Sequence, residues 1–291
     1  MLKFTKMHGL GNDFIVIDLR HQQHLATALT PAVLRRLADR RLGIGCDQIM
    51  IIDPPSTPGI TADVRIYNQD GSSARACGNG TRCVAYLLGK ELPAGTPQRL
   101  RTCAGELTAI AHANGQVSVD MGAVSLAWQD IPLAQPTDTA AVPIHLAHIH
   151  PKGAAVYAGI APVAVNVGNP HIVFFITNME ALDIHTLGPL IENDPLFPDR
   201  VNVSFAEILN RQFIRAQVWE RGTGSTLACG SAACAMAVAG HTLGLTERQV
   251  TIEQPGGQLS IKWLDNSHVD MTGPTTITFE GMTSNGLVAT T

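Results

Sequence analysis

The sequence predicts an α+β protein of two pseudo-symmetric domains that arose by internal duplication, each rich in strands and built around one central helix. Residues 68–85 resemble 220–237: in both, a Gly-rich turn and Ala-Cys-Gly precede an apolar helix. Residues 10–16 resemble 167–173, where Gly-Asn opens a strand. The two matches recur in the same order, at offsets of 152 residues (77 to 229) and 157 residues (12 to 169). The cleft between the halves is the predicted ligand site.

Strand patterns dominate both halves. Apolar or alternating runs predict strands at 48–52, 64–67, 106–111, 117–121, 163–167 and 213–219, and Gly256-Gly257 predicts a hairpin. Thr30 before Pro31 predicts the start of a helix, and the Pro-rich segment 132–143 predicts a loop. We place the N-terminal domain at 1–122, with a return strand at 276–291, and the C-terminal domain at 123–275.

Composition excludes several classes of protein. With 45% hydrophobic and 15% charged residues over 291 positions, the chain can bury a large core. Its net charge of −4, with no long basic run, argues against binding to nucleic acid or to an anionic membrane. No apolar stretch approaches the roughly 18 residues of a membrane helix. Polar residues occupy the N-terminal positions that the apolar core of a signal peptide would need, so we expect a cytoplasmic protein.

The six cysteines form no C-x-x-C pair, which predicts free thiols rather than a disulfide framework. The buried small-hydrophobe interpretation suits four of them, namely Cys46, Cys83, Cys103 and Cys234. The histidines between 145 and 150 lack cysteine or acidic neighbours at ligand spacing, so we expect a partly exposed loop or strand there and no metal. No phosphate-binding loop is present, and we expect no cofactor.

Cys77 and Cys229 are different because each directly precedes a glycine at a predicted helix start. The free N–H groups and the positive end of the helix dipole stabilise a thiolate there and lower the thiol pKa. Two such cysteines on opposite sides of one carbon could invert it, one removing a proton and the other returning one. The competing interpretation is that both turns are tightly packed helix starts left by the duplication.

A resemblance to a known family follows from these motifs. Residues 68–83 and 220–231, together with His8-Gly-x-Gly-Asn12-Asp-Phe and Gly43-x-Gly-x-Asp47-Gln48, resemble diaminopimelate epimerases. The resemblance implies a cofactor-independent epimerase that interconverts LL- and meso-diaminopimelate on the route to lysine and peptidoglycan. It also implies a homodimer, two mirror-related domains with a barrel-like sheet around a central helix, and Cys77 and Cys229 as the acid and base.

The same resemblance implies a set of substrate-binding residues. One group would hold the non-reacting end of the substrate, with the carboxylate on Asn68, Asn169, Asn202 and Arg221 and the ammonium on Glu220. The reacting carboxylate would bind the backbone amides of Gly78, Asn79, Gly230 and Ser231. Asn12 and Gln48 match further contact positions, and His171 and Glu220 match positions that modulate the thiol pKa values.

Two departures from the family pattern and three other functions stay open. Cys46 stands where small residues are common and would add a thiol near the site, and no second glycine follows Cys229-Gly230. A racemase or epimerase of another amino acid could share the two-cysteine fold. A redox sensor with a Cys77–Cys229 disulfide and an inactive amino-acid-binding module are the other candidates.

Overall fold

The computed structural model describes residues 1–75 and 77–284. The chain forms two compact units: unit 1 is Met1–Asp120 with Gly273–Thr291, and unit 2 is Met121–Thr272. Within the predicted return strand, residues 285–291 lie outside the described part. The domain boundaries at 122/123 and 275/276 stay a prediction of where the halves would separate as folding units.

The described residues form strands β1 to β17 and helices α1 to α6. The strands are β1 (Lys3–Gly9), β2 (Asn12–Asp18), β3 (Gln48–Asp53), β4 (Ala62–Asn68), β5 (Ser73–Ala74), β6 (Pro97–Thr102), β7 (Gly105–Ala111), β8 (Gln116–Ala123), β9 (Val163–Asn166), β10 (Pro170–Ile176), β11 (Asn202–Asn210), β12 (Phe213–Glu220), β13 (Gly224–Thr226), β14 (Gln249–Gln254), β15 (Gly257–Trp263), β16 (His268–Pro274) and β17 (Thr276–Met282). The helices are α1 (Pro31–Ala38), α2 (Gly78–Gly89), α3 (Leu146–Ile149), α4 (Pro151–Ala154), α5 (Ile184–Glu192) and α6 (Gly230–Thr242), with 3₁₀ turns at Leu19–His21 and Gln23–Ala28.

The strands of unit 1 pair in a mixed pattern. β1 is antiparallel to β2 and to β17, β2 is parallel to β3, and β3 is antiparallel to β4. β4 is antiparallel to β5 and parallel to β6, and β6, β7 and β8 form an antiparallel meander.

Strands β9 to β16 of unit 2 repeat the pairing of β1 to β8. β9 is antiparallel to β10, β10 is parallel to β11, and β11 is antiparallel to β12. β12 is antiparallel to β13 and parallel to β14, and β14, β15 and β16 form the meander. α1 and α5 occupy equivalent places in the chain, as do α2 and α6. The predicted duplication and the α+β class are therefore confirmed.

One helix in each unit is enclosed by that unit's strands. α2 contacts β1, β2, β3 and β7, and α6 contacts β9, β10, β11, β14 and β15. Small residues permit this, since residues 232–240 of α6 are buried and consist of Ala, Cys, Met, Val and Gly. In α2, a Cβ on Gly80 would lie 2.6 Å from Met50 Sδ, so a larger residue would force the Met50 side chain to move.

The opposite face of each sheet carries a second apolar layer. In unit 1, α1 begins with Thr30 as N-cap and Pro31 at its first position, as predicted, and buries Leu34 and Leu37 against β2 and β3. In unit 2, α5 contacts β11, β12 and β13, and its apolar residues share a buried cluster with Phe174 and Phe205. Both sheets are thus covered on two sides, which fixes the enclosed helices and their first turns.

Two local expectations are wrong. The histidine segment forms the short helices α3 and α4 instead of a loop or strand, because His150 caps α4 and Pro151 occupies its first position. Cys103 is exposed at the β6–β7 hairpin instead of buried. Cys46, Cys83 and Cys234 are buried as predicted. No helix in the described part of the chain is long and apolar enough to cross a membrane.

We expect Leu34→Ala to lower the free energy of unfolding by about 2–5 kcal/mol, because it leaves a cavity beneath α1 in the unit 1 core. The matched control is Leu42→Ala, since Leu34 is 0% and Leu42 is 77% exposed. The control should stay within about 0.5 kcal/mol of the wild type in urea denaturation. Equal losses in both variants would show that the α1 layer does not stabilise unit 1.

Candidate active site

Cys77 is the N-cap residue of α2. Its extended backbone (φ −155°, ψ 101°) turns the chain into the helix, and its Sγ accepts a hydrogen bond from the Gly80 N–H at 3.4 Å. The Cys77 carbonyl accepts the Thr81 N–H at 2.8 Å and the Thr81 hydroxyl at 2.9 Å. The sulfur is therefore held among the N–H groups of the first turn, as the sequence predicts.

Asn12 lies beside this cysteine. Its Oδ1 is 3.9 Å from Cys77 Sγ and accepts a hydrogen bond from Asn79 Nδ2 at 3.3 Å. Its Nδ2 donates to Asp47 Oδ2 at 2.8 Å, which fixes the amide with its oxygen toward the sulfur. Asn12 follows a Leu10-Gly11 turn in which both residues have positive φ, 57° and 86°. Asp47 was not among the predicted site residues.

A network of ion pairs fixes Asp47, the residue to which the Asn12 side chain donates. Arg40 pairs with Asp13 and Asp47, both at 2.7 Å, and Lys6 pairs with Asp13 at 2.5 Å. Burial alone would raise the pKa of Asp13, but the bonds from Arg40 and Lys6 outweigh it and hold that pKa well below its usual range. Asp13 is therefore ionised at neutral pH and keeps both cations in place.

Gln48 and Asn68 form a second polar pair in unit 1. They are register partners on β3 and β4, and Gln48 Nε2 donates to Asn68 Oδ1 at 3.0 Å. Asn68 Nδ2 donates to Ser72 Oγ at 3.1 Å, in the turn after β4. These two predicted contact residues therefore lie together.

Cys229 is the N-cap residue of α6, at the position equivalent to Cys77. The Gln254 side chain holds its backbone: the Cys229 N–H donates to Gln254 Oε1 at 2.8 Å, and Gln254 Nε2 donates to the Cys229 carbonyl at 3.3 Å. Gln254 ends β14 and is itself buried. Sequence analysis did not identify it, because the contact joins residues 25 positions apart.

A short polar chain runs from this sulfur to His171. Cys229 Sγ is 3.5 Å from Ser231 Oγ, which is 3.1 Å from His171 Nε2. His171 Nε2 is also 2.9 Å from Asn169 Oδ1, a carbonyl oxygen, so Nε2 carries the proton. Because Ser231 accepts from that N–H, its own hydroxyl is free to donate to the sulfur.

Burial determines the protonation states of His171 and Cys229. It lowers the pKa of the fully buried His171 to about 3, so the ring is neutral at physiological pH. Burial raises the pKa of the Cys229 thiol well above its usual range, and the Glu220 carboxylate adds to the effect. Hydrogen bonds from Ser231 and the Ala232 N–H act in the opposite direction but are weaker. The expectation of a lowered pKa at this helix start is thus wrong for Cys229, because desolvation outweighs the helix terminus.

The Glu220–Arg221 turn completes the polar group of unit 2. The Arg221 N–H donates to Asn202 Oδ1 at 3.0 Å, and Asn202 Nδ2 donates to the Pro170 carbonyl at 2.8 Å. Thr226 Oγ1 donates to Glu220 Oε1 at 2.6 Å. Arg221 Nη1 donates to the Asp199 carbonyl at 3.0 Å, a neutral acceptor that leaves the guanidinium charge uncompensated by this contact.

The predicted site residues fall into two contacting sets in unit 1, Asn12 with Cys77 and Asn79 and Gln48 with Asn68, and into one polar group in unit 2. Those of unit 1 are Asn12, Gln48, Asn68, Cys77, Gly78 and Asn79. Those of unit 2 are Asn169, His171, Asn202, Glu220, Arg221, Cys229, Gly230 and Ser231. Cys46 is not among them; it is fully buried in the unit 1 core, and burial raises the pKa of its thiol to about 12.

One group of side chains in the described residues has the spacing of metal ligands. Asp18, His21 and Glu91 bring their ligand atoms within 4.8 Å of one another. Arg20, however, pairs with Asp18 at 2.6 Å and with Glu91 at 2.8 Å. Both carboxylates therefore already bind a cation, and the cluster includes none of the predicted site residues.

Comparison with known proteins identifies the family. The family model for diaminopimelate epimerase matches residues 4–127 and 163–278. The chain belongs to the diaminopimelate epimerase family. A diaminopimelate epimerase of Gluconobacter oxydans is 46% identical over 283 residues, covering 97% of this chain and 99% of the relative. One of Acidiphilium cryptum is 46% identical over 287 residues, covering 98% of each.

Solved structures share the fold at low sequence identity. A predicted epimerase from Pseudomonas aeruginosa superposes with a TM-score of 0.71 at 18% identity, covering 98% of this chain and 100% of the other. A probable proline racemase from Agrobacterium radiobacter superposes with a TM-score of 0.65 at 16% identity, covering 98% and 93%. The fold of the diaminopimelate epimerase family therefore extends to proteins with other names.

We expect Glu220→Gln to lower the pKa of Cys229, because it removes a negative charge near the sulfur while Thr226 can still donate to the amide oxygen. The measurement is ultraviolet thiolate absorbance against pH, with the signal of a Cys229→Ala counterpart subtracted. The titration midpoint should move to lower pH. Glu247→Gln, an exposed change in the same unit, should leave it in place; an unmoved midpoint in Glu220→Gln would contradict the electrostatic coupling.

Proposed function

We propose that the protein is a diaminopimelate epimerase that interconverts the LL and meso isomers by removing and returning the proton on one α-carbon. The observation that carries this proposal is the pair of cysteines, Cys77 and Cys229, each the N-cap residue of the enclosed helix of its unit. Relatives at 44–46% identity over nearly the whole chain bear the same name. The enzyme is an isomerase.

The two cysteines are proposed as the acid and the base. Cys229 has a raised pKa and carries its proton at neutral pH, so it is the acid of the ligand-free enzyme. Cys77, whose Sγ accepts the Gly80 N–H and lies 3.9 Å from the Asn12 side-chain carbonyl oxygen, is proposed as the base. Proton transfer from carbon to one sulfur and from the other sulfur to carbon exchanges these roles, and the reverse reaction uses the exchanged state. The proposal requires both sulfurs to reach one carbon.

Backbone amides are proposed to bind the carboxylate on the reacting carbon. Gly78 and Asn79 begin α2, and Gly230 and Ser231 begin α6. The N–H groups in the first turn of a helix lack partners within it, and the helix dipole favours an anion there. A carboxylate bound at such a turn also makes the α-proton more acidic, because its negative charge is partly neutralised.

The second amino-acid head of diaminopimelate requires both an anion site and a cation site. Arg221 offers guanidinium donors for the distal carboxylate, with the amides of Asn68, Asn169 and Asn202 as further proposed contacts. Glu220 offers its carboxylate to the distal ammonium. Substrates with a single amino-acid head would leave these charges unpaired, which is the proposed basis of selectivity.

The functional test is solvent deuterium incorporation. We expect the wild type to place deuterium on the α-carbon of LL-diaminopimelate in deuterated water, and Cys77→Ser and Cys229→Ser each to be slower by roughly 10²–10⁴-fold, because a hydroxyl is a far weaker acid. Mass spectrometry of the product measures the rate. The control is Cys103→Ser, whose exposed thiol lies outside the proposed pair. Near-normal rates in either active-site variant, or equal rates with proline, would contradict the proposed mechanism or substrate.

We also propose a homodimer, with β17 as the contacting strand. Among the described residues of unit 1, β17 pairs along one edge with β1, and no other strand pairs along its outer edge. Phe279 and Met282 are 47% and 58% exposed, although Phe279 packs edge-on against Phe4. A seven-residue edge strand with exposed apolar side chains is a surface that a second chain can cover.

Met282→Lys should therefore convert a dimer, of about twice the 30.9 kDa chain mass, into a monomer, because a lysine on the edge would repel its copy across the twofold axis. Light scattering after size exclusion measures the mass. Leu209→Lys is the control, an apolar residue 45% exposed in unit 2. A monomeric wild type, or a variant that stays dimeric, would exclude this interface.

We propose the cytoplasm as the location of the protein. The reason is chemical: the proposed acid and base are free thiols, and reducing compartments keep thiols free. An oxidising compartment would convert accessible thiols to disulfides or sulfenic acids and stop proton transfer.

A further inference from the structure

A buried carboxylate lies behind the Glu220–Arg221 turn. Glu192 is the last residue of α5 and only 6% exposed, although an ionised side chain is costly to remove from water. It is not among the residues assigned to substrate or to proton transfer. Its contacts therefore need an explanation of their own.

Both oxygens of Glu192 accept hydrogen bonds from the chain on either side of that turn. Oε2 accepts the Trp219 indole N–H at 2.7 Å, and Oε1 accepts the Gly222 backbone N–H at 2.8 Å. Trp219 directly precedes Glu220, and Gly222 directly follows Arg221. One side chain thus fixes both ends of the two-residue segment that carries the proposed selectivity.

The indole ring of Trp219 is also tightly packed against α5. Gly188 lies one helical turn before Glu192, and a Cβ there would lie 2.5 Å from the indole ring. The ring therefore rests directly on the backbone of α5. The His185 ring meets it edge-on at a centroid distance of 6.0 Å. α5 presents a matched surface for this tryptophan: a gap at Gly188 and an acceptor at Glu192.

The cation partner of Glu192 links it to Arg221. Arg200 Nη1 is 3.3 Å from Glu192 Oε1, and its neighbour Asp199 accepts Arg221 Nη1 through its carbonyl. Arg200 has φ +59°, a left-handed conformation that non-glycine residues adopt only when the surroundings impose it. The segment Asp199-Arg200 therefore contacts both the Glu192 carboxylate and the Arg221 side chain.

We propose that Glu192 is a positioning residue, which orients Glu220 and Arg221 and thereby sets selectivity for a substrate with a second charged amino-acid head. The inference rests on the proposed function. In the described residues the hydrogen bonds of Glu192 go to Trp219, Gly222 and Arg200, and none goes to Cys77 or Cys229. Its role is to keep the backbone from Trp219 to Gly222 in one conformation, so that the two charged side chains extend from fixed points.

The test variant is Glu192→Gln, which keeps the volume but replaces one acceptor oxygen by an NH₂ group. That group then meets an N–H donor, of Trp219 or of Gly222, and one end of the turn is released. We expect KM for diaminopimelate to rise about tenfold with a smaller change in kcat, as for a charge-assisted hydrogen bond lost from binding. For 2-aminopimelate, which lacks the distal ammonium, KM should change less. The kcat/KM for diaminopimelate should therefore fall relative to the kcat/KM for 2-aminopimelate.

Two further variants separate positioning from general destabilisation. Trp219→Phe keeps a ring against Gly188 but removes the indole N–H, and its effect should be less than additive with Glu192→Gln. Glu247→Gln, whose exposed carboxylate accepts from Gln212, should change nothing. An equal fall in kcat/KM for both substrates in Glu192→Gln, or additive effects, would overturn the proposal.

A substrate-free measurement keeps this result separate from the proposed function. Hydrogen exchange of the Gly222 amide or of the Trp219 indole N–H should be faster in Glu192→Gln than in the wild type, because the glutamine side chain offers one acceptor oxygen in place of two. A wild type inactive on diaminopimelate would refute the proposed function, and the exchange rate would still decide whether Glu192 holds the turn. Unchanged exchange rates at both N–H groups would refute the positioning role whatever the activity.

Discussion

The start of a helix inside a closed layer of strands is the constraint on which each unit depends. The N–H groups of the first turn have no partners within the helix and must find them elsewhere. At α2 and α6 the N-cap residue is a cysteine, although serine, threonine, aspartate and asparagine cap helices better. The cysteine caps therefore stabilise α2 and α6 less than those residues would. They place a sulfur at the helix start, where the backbone N–H groups favour binding of an anion.

The two units solve this problem with the same topology and different chemistry. In unit 1, exposed and half-buried ions around Asp13 and Arg40 fix Asn12 beside the sulfur. In unit 2, a neutral chain through Ser231 and the buried His171 reaches the sulfur, and the Glu220 carboxylate acts on that sulfur electrostatically. A duplicated fold can therefore present two thiols in unlike surroundings, consistent with the proposed assignment of one as acid and the other as base in the ligand-free protein.

Sequence reasoning succeeded where the backbone itself demands a residue. The duplication was visible because Gly-Asn and Cys-Gly mark turns and helix starts that few other residues can form, and Thr30-Pro31 specified the start of α1 directly. It failed where burial decides. No local pattern shows that Cys229 is desolvated enough to raise its pKa, or that Cys103 lies in an exposed hairpin.

The supporting residues were missed for a related reason. Asp47 lies in a recognised motif, but the motif alone assigns it no contact. Gln254 and Glu192 act through contacts with residues distant in sequence. Glutamate near a helix end is usually a solvated residue, so its type alone carries no signal. Only the three-dimensional structure shows that Gly188 leaves space for the Trp219 ring and that Glu192, one helical turn later, accepts the indole N–H.

The return of β17 to β1 has a consequence for biosynthesis. Unit 2 is one continuous stretch, Met121–Thr272, whereas the first strand of unit 1 pairs with the last described strand of the chain. Translation therefore completes unit 2 while one edge of β1 is still bare, and the β1–β17 ladder spans about 270 residues of chain, a long closure in entropic terms. Nascent unit 1 exposes that edge until β17 has been synthesised, the interval in which unpaired strands are most prone to aggregate and in which a chaperone would have most effect.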